Sequence, residues 1–156
     1  MATVRRRVPP AALVRAFNPA VRALLSSPGH GLADKTTVIL HVTGRKTGRR
    51  YDIPMGYVEI SGKLFMITIA RWRVNLRGGA DVEVTWRGHR RPMRAVLEED
   101  PAAVAVACQA VIDHLGWPRA ARQLGISTPG DRRPTVIELR DAAAEYGWSV
   151  VTITAR

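Results

Sequence analysis

Through the middle of the chain, β-branched and other apolar residues fall into short runs separated by glycine, proline and charged residues, a strand-and-turn pattern. Residues 36–42 predict a first strand. Residues 51–60 predict a second, bent at Pro54-Met55-Gly56. Ser61-Gly62 has the chemistry of a two-residue hairpin turn, and residues 64–70 return as a third strand. Residues 82–86 and 90–98 make two more, joined across Arg87-Gly88-His89, and residues 150–154 make a closing one.

The helical patterns lie toward the ends. Residues 11–25 carry an apolar stripe of Leu13, Phe17, Val21 and Leu24, interrupted at Pro19, and residues 26–31 are loop. Residues 74–78 predict one helical turn before Gly78-Gly79. Asp100 is an N-cap with Pro101 at the first helical position, for a helix that runs to about Leu115 and stops at Gly116. Residues 117–124 predict a short helix, and residues 134–146 another, with Val136, Leu139, Ala143 and Tyr146 on one face and Gly147 as its stop. Six strands, mostly hairpin-linked, with helices beside them predict a small antiparallel barrel of the α+β class.

The 156 residues suit one domain. The longest stretch without a charge, residues 101–112, is 12 residues, against about 20 for a bilayer span. Cys108 is the single cysteine, so a disulfide scaffold is excluded. The expectation is a soluble, cytoplasmic protein, in which residues 1–33 form a basic N-terminal extension of a domain covering residues 1–156. Charge changes this picture. The formal net charge is +11, and it is lopsided: residues 1–97 hold 18 Lys/Arg and 5 Asp/Glu, residues 98–156 hold 6 and 8. Anions should therefore be drawn to the N-terminal two-thirds.

The densest basic stretch is Thr43-Gly44-Arg45-Lys46-Thr47-Gly48-Arg49-Arg50. Four cations, two hydroxyls and two glycines make a phosphate cradle one reading, with backbone N–H groups turned toward the anion. A charged hairpin turn is the other. The spacing is not that of a P-loop.

This stretch, followed by Ile53-Pro54-Met55 and a hairpin, resembles the deazaflavin-dependent nitroreductase family, in the split β-barrel superfamily of flavin and deazaflavin oxidoreductases. Trp72-Arg73-Val74-Asn75-Leu76-Arg77 is similar to the family's Trp-x-x-Asn-Leu-Arg segment, and the strand pair around Arg87-Gly88-His89 follows in order. The resemblance covers roughly residues 36–98 and implies a split β-barrel of about six mostly antiparallel strands with flanking helices. It assigns the phosphate and acidic tail of coenzyme F420 to Arg45, Lys46, Thr47 and Arg49, with Thr43 beside them. Pro54 and Met55 would lie beside the ring system, Ala70 and Arg71 would face it, and Trp72, Asn75 and Arg77 would close the pocket. The implied reaction is hydride transfer from the reduced coenzyme to a small electron acceptor: a quinone, nitro or enone compound. Split barrels of this kind commonly pair, so a homodimer is implied too.

The chain departs from the family where Ala70-Arg71-Trp72 follow one another directly, without the usual loop. FMN, haem or an apolar ligand carried without catalysis is the alternative occupant. A basic nucleic-acid-binding module is the less favoured alternative, because few aromatics interleave with the basic residues. Arg5-Arg6-Arg7, with Arg15 and Arg22, suggests peripheral contact of residues 1–25 with an anionic membrane. His30, His41, His89 and His114 show no metal-ligand spacing, and no catalytic triad is visible. Tyr51, Tyr57 and Tyr146 are the available phenols, none at a recognisable family position, while Asp52 and Glu59 read as solvated strand residues.

Overall fold

A computed structural model describes residues 3–6 and 37–156. The expected helix at 11–25, the loop at 26–31 and most of the segment assigned to membrane contact lie outside the described residues. Nine strands and three α-helices are described: β1 (Arg5–Arg6), β2 (Thr37–Thr43), β3 (Arg50–Gly56), β4 (Val58–Ile60), β5 (Lys63–Thr68), β6 (Ala80–Trp86), β7 (His89–Glu98), α1 (Pro101–Leu115), α2 (Trp117–Leu124), β8 (Ile126–Ser127), α3 (Val136–Tyr146) and β9 (Ser149–Ala155). β1 and β8 form a separate two-residue ladder that the sequence pattern did not predict.

The other seven strands form one antiparallel sheet in the order β3-β2-β6-β7-β9-β5-β4. This is the expected α+β split barrel with one strand more than predicted. The extra strand comes from residues 51–60, which divide into β3 and β4. These two occupy opposite edges of the strand order, yet only Tyr57 separates them in the chain. The sheet therefore curls until its two edges meet at that residue. Tyr57 is buried there; its hydroxyl accepts a 3.0 Å hydrogen bond from Trp86 Nε1, and its carbonyl accepts one of 2.8 Å from Gln123 Nε2.

Two prolines inside strands fit the ladder. Pro54 is in edge strand β3, and Pro92 is in the part of β7 that precedes its pairing with β9, which begins at Met93. Neither site demands an N–H donor on its outer side.

Both faces of β5 and β9 are buried, so alternate residues feed two cores. Leu64, Met66, Val151 and Ile153 join Val38, Leu40, Val84 and Met93 inside the barrel. Ile67 and Val150 face the helices, with Val104, Cys108, Ile112, Leu139 and Trp148. Asp100 caps α1 as predicted, accepting from the Ala103 N–H at 2.9 Å. α3 begins at Val136, two residues later than the pattern suggested. There Thr135 and Glu138 form a capping box that satisfies two otherwise free donors.

Candidate functional site

The basic turn between β2 and β3 is closed by its own backbone. The Gly44 N–H donates to the Arg49 carbonyl at 2.7 Å, and the Gly48 N–H to the Gly44 carbonyl at 2.9 Å. The Arg49 N–H donates to Thr47 Oγ1 at 3.3 Å, and the Arg45 N–H to Asn75 Oδ1 at 3.0 Å. The two glycines have different reasons. A Cβ on Gly44 would sit 3.2 Å from Thr47 Oγ1 and 3.3 Å from the Tyr51 ring, whereas Gly48 has φ +68° with open space around it. Of the two readings of this turn, the charged hairpin accounts for four of its N–H groups, those of Gly44, Arg45, Gly48 and Arg49, which are used inside the protein. An anion here would be held by side chains, namely the exposed Arg45, Lys46 and Arg49 and the hydroxyls of Thr43 and Thr47.

Against this turn lies the segment after β5. The third strand ends at Thr68 rather than Ala70, because Thr68 Oγ1 accepts from the Ala70 N–H at 3.0 Å and turns the chain out of the sheet. A 3-10 helix follows over Arg71–Leu76, earlier than the predicted turn at 74–78, and Leu76 anchors it in the barrel core. Asn75 faces both ways: its Oδ1 holds Arg45, and its Nδ2 donates to the Trp72 carbonyl at 2.9 Å. The Arg45 guanidinium donates in turn to the Arg77 carbonyl.

The structure thus joins the turn that carries Thr43, Arg45, Lys46, Thr47 and Arg49 to the segment that carries Ala70, Arg71, Trp72, Asn75 and Arg77, the contacts being those of Arg45 with Asn75 and Arg77. Pro54 and Met55 are set apart, four and five residues beyond Arg50, or about 14–17 Å along β3 at the usual strand rise. Met55 and Trp72 nevertheless pack against the same barrel core. Tyr51 stands on β3 below the turn, with the Arg49 guanidinium 5.5 Å from its ring centre. The exposed apolar residues Ile69 and Val74 flank Arg71 in the chain.

Charge pairing separates the β2–β3 turn from several other arginines of the barrel, Arg77 at the same end among them. Among the described residues, Arg45, Lys46, Arg49 and Arg50 make no ion pair with a carboxylate, whereas Arg77, Arg87, Arg90 and Arg94 are paired with Glu99, Glu59, Glu83 and Asp81. Glu99 was not apparent from the sequence, where it sits in an ordinary acidic run before a helix cap. It accepts from Arg77 Nε at 2.8 Å and Nη2 at 3.0 Å. The Arg77 hydrogen bond holds the Glu99 carboxyl below its usual range against the opposing effect of burial, and the same bond raises Arg77. Two acids expected to be solvated also have partners: Glu59 pairs with Arg87, and Asp52 bonds His41 Nδ1 at 2.7 Å. His41 Nε2 lies 2.8 Å from Thr85 Oγ1, completing a chain across β3, β2 and β6.

An α+β split barrel whose β2–β3 turn carries cations without a carboxylate partner among the described residues defines the class, a barrel suited to an anionic ligand. The family model described as F420H(2)-dependent quinone reductase matches residues 13–128, and the chain belongs to that family of oxidoreductases. Among curated proteins no relative matches. Distantly similar solved structures include the following three. An F420-H2 dependent reductase is 16% identical, covering 76% of this chain and 94% of its own, with a TM-score of 0.44. A conserved hypothetical protein from Mycobacterium tuberculosis is 19% identical over 97% of this chain and 86% of its own, with a TM-score of 0.44. An FMN-binding protein related to pyridoxamine 5'-phosphate oxidase, from Nostoc punctiforme, is 15% identical over 95% and 83%, also at 0.44. Likeness at this level fixes no function.

Proposed function

We propose that the chain binds the reduced deazaflavin coenzyme F420 at the barrel end formed by the β2–β3 turn and residues 69–77, and passes its hydride to a quinone. The observation that carries this reading is the set of cations on that turn without a carboxylate partner among the described residues, on a turn that Asn75 holds against the Trp72–Arg77 segment. The residues fit such a coenzyme. Arg45, Lys46 and Arg49 suit a phosphate and an acidic tail, since guanidinium and ammonium donors make charge-assisted bonds to such oxygens. Thr43 and Thr47 add hydroxyl donors, and Arg71 extends the positive field. Trp72, Ala70 and Met55 offer apolar surface to a planar ring, whereas Pro54 faces the other side of β3 and is left out of that contact. Bound there, the coenzyme supplies the hydride; the protein binds, orients and excludes water. Asn75 and Arg77 support the turn through groups already bonded within the protein.

A quinone leads the nitro and enone compounds because the family is named for quinone reduction. The test is titration with F420, FMN and haem, followed by oxidation of reduced F420 in the presence of each acceptor class. Saturable F420 binding and fastest turnover with the quinone are expected. Tight FMN or haem binding without F420 binding would overturn the reading.

A further inference from the structure

The basic turn is tied to the start of α1 by a short relay. Glu99 lies between β7 and the Asp100 cap, so its backbone is fixed from both sides. The Asp100 N–H also donates to Glu98 Oε1 at 2.8 Å. The Glu99 carboxylate takes Arg77 through two parallel bonds, and Arg73 Nε lies 3.8 Å from it. Arg73 is committed to this segment as well, donating to the Ala70 carbonyl at 3.0 Å. The Arg77 carbonyl holds the Arg45 guanidinium, and Asn75, two residues earlier, holds the Arg45 backbone. Carboxylate, arginine fork, carbonyl and turn thus form one continuous path.

We propose that Glu99 is a positioning residue for the basic turn: by fixing Arg77 it sets the place of the Asn75–Arg77 stretch and, through it, the direction in which Arg45 meets an anion. The coenzyme half of this inference rests on the function proposed above; the structural half does not. Its sign distinguishes it from plain electrostatics. Glu99 is a negative charge beside a basic site, and deleting such a charge ordinarily tightens anion binding. Positioning gives the opposite result, because a freed Arg77 no longer holds its carbonyl under Arg45.

The experiment uses the full chain and Glu99→Gln, with Arg77→Lys as a second variant that keeps the charge but loses the two-bond fork. Amide hydrogen exchange is followed without coenzyme, and F420 affinity is then measured by fluorescence. In Glu99→Gln, the amides of residues 44–49 should exchange about fivefold faster while the β6–β7 hairpin is unchanged, a local loss on the scale of one exposed ion pair. F420 affinity should fall by a similar factor, and Arg77→Lys should lie between the wild type and Glu99→Gln in both. Unchanged exchange in the turn, or tighter F420 binding by Glu99→Gln, overturns the inference. If the wild type binds no F420, the proposed function fails, and the exchange measurement still decides the relay.

Discussion

Two hairpin turns of this barrel are strongly basic, and they differ in how many of their cations meet a carboxylate among the described residues. The β2–β3 turn carries Arg45, Lys46 and Arg49 next to Arg50, none of them paired with a carboxylate among the described residues. The β6–β7 turn and its flanks carry Arg87, His89, Arg90 and Arg91. There Arg87 reaches Glu59 and stacks 4.6 Å from the Trp86 ring centre, Arg90 pairs with Glu83, and Arg91 lies 5.6 Å from the same ring. Arg87 and Gly88 have φ +50° and +73°, the pattern of a tight hairpin turn, which holds Arg87 over the indole. Counting charge along the sequence ranks these turns as near equals. Pairing separates them: among the described residues Arg87 and Arg90 meet carboxylates, whereas none of the four cations at the β2–β3 turn does, which leaves that turn the stronger positive field.

The largest effect should come from removing that field. Replacing Arg45 and Lys46 together with Ala should weaken F420 binding by more than about tenfold, read by fluorescence titration. Next is the frame of the turn. Gly48→Val places a β-branched residue at φ +68° and should destabilise by roughly 1–2 kcal/mol, measurable by urea denaturation. It should weaken coenzyme binding too. The matching change at the other turn, Arg87→Ala, should alter F420 affinity by less than about twofold, since it removes only an exposed ion pair and a stacking contact far from the site. A larger loss there would erase the distinction between the turns.

The smallest effect concerns pH. Glu83 is held below its ordinary value near 4.5, first by its hydrogen bond from Arg90. Glu99 is held below the same value by Arg77. A depressed folded value means that the unfolded chain takes up the proton first. The stability these pairs contribute is therefore complete above about pH 4.5 and is lost as the pH falls through the lower folded values. Glu83→Gln should be less stable than the wild type at neutral pH, and the difference should vanish in acid. A difference that grows in acid would contradict the pairing.

Much of this fold was legible because hairpins are local. The strand at residues 36–42, the Ser61-Gly62 turn and the Asp100-Pro101 helix start depend on neighbours in sequence, and each falls within a residue or two of its predicted place. The seam at Tyr57 was not legible, since a bend and a crossing from one sheet edge to the other give the same residue pattern. The site was half legible. The basic turn and the Trp72–Arg77 segment stand out by composition, but Asn75 meeting Arg45 spans 30 residues, and Arg77 meeting Glu99 spans 22. Periodicity carries no signal for contacts at such separations. Gly48 has the backbone freedom read from the sequence, whereas Gly44 answers to the nearby Thr47 hydroxyl and Tyr51 ring.

The most direct test of the central claim is an amide chemical-shift map of the full chain titrated with F420. Shifts should concentrate at residues 43–49 and 69–77, with the amides of residues 87–91 silent. Shifts centred on the β6–β7 turn, or no shifts at saturating coenzyme, would contradict the claim.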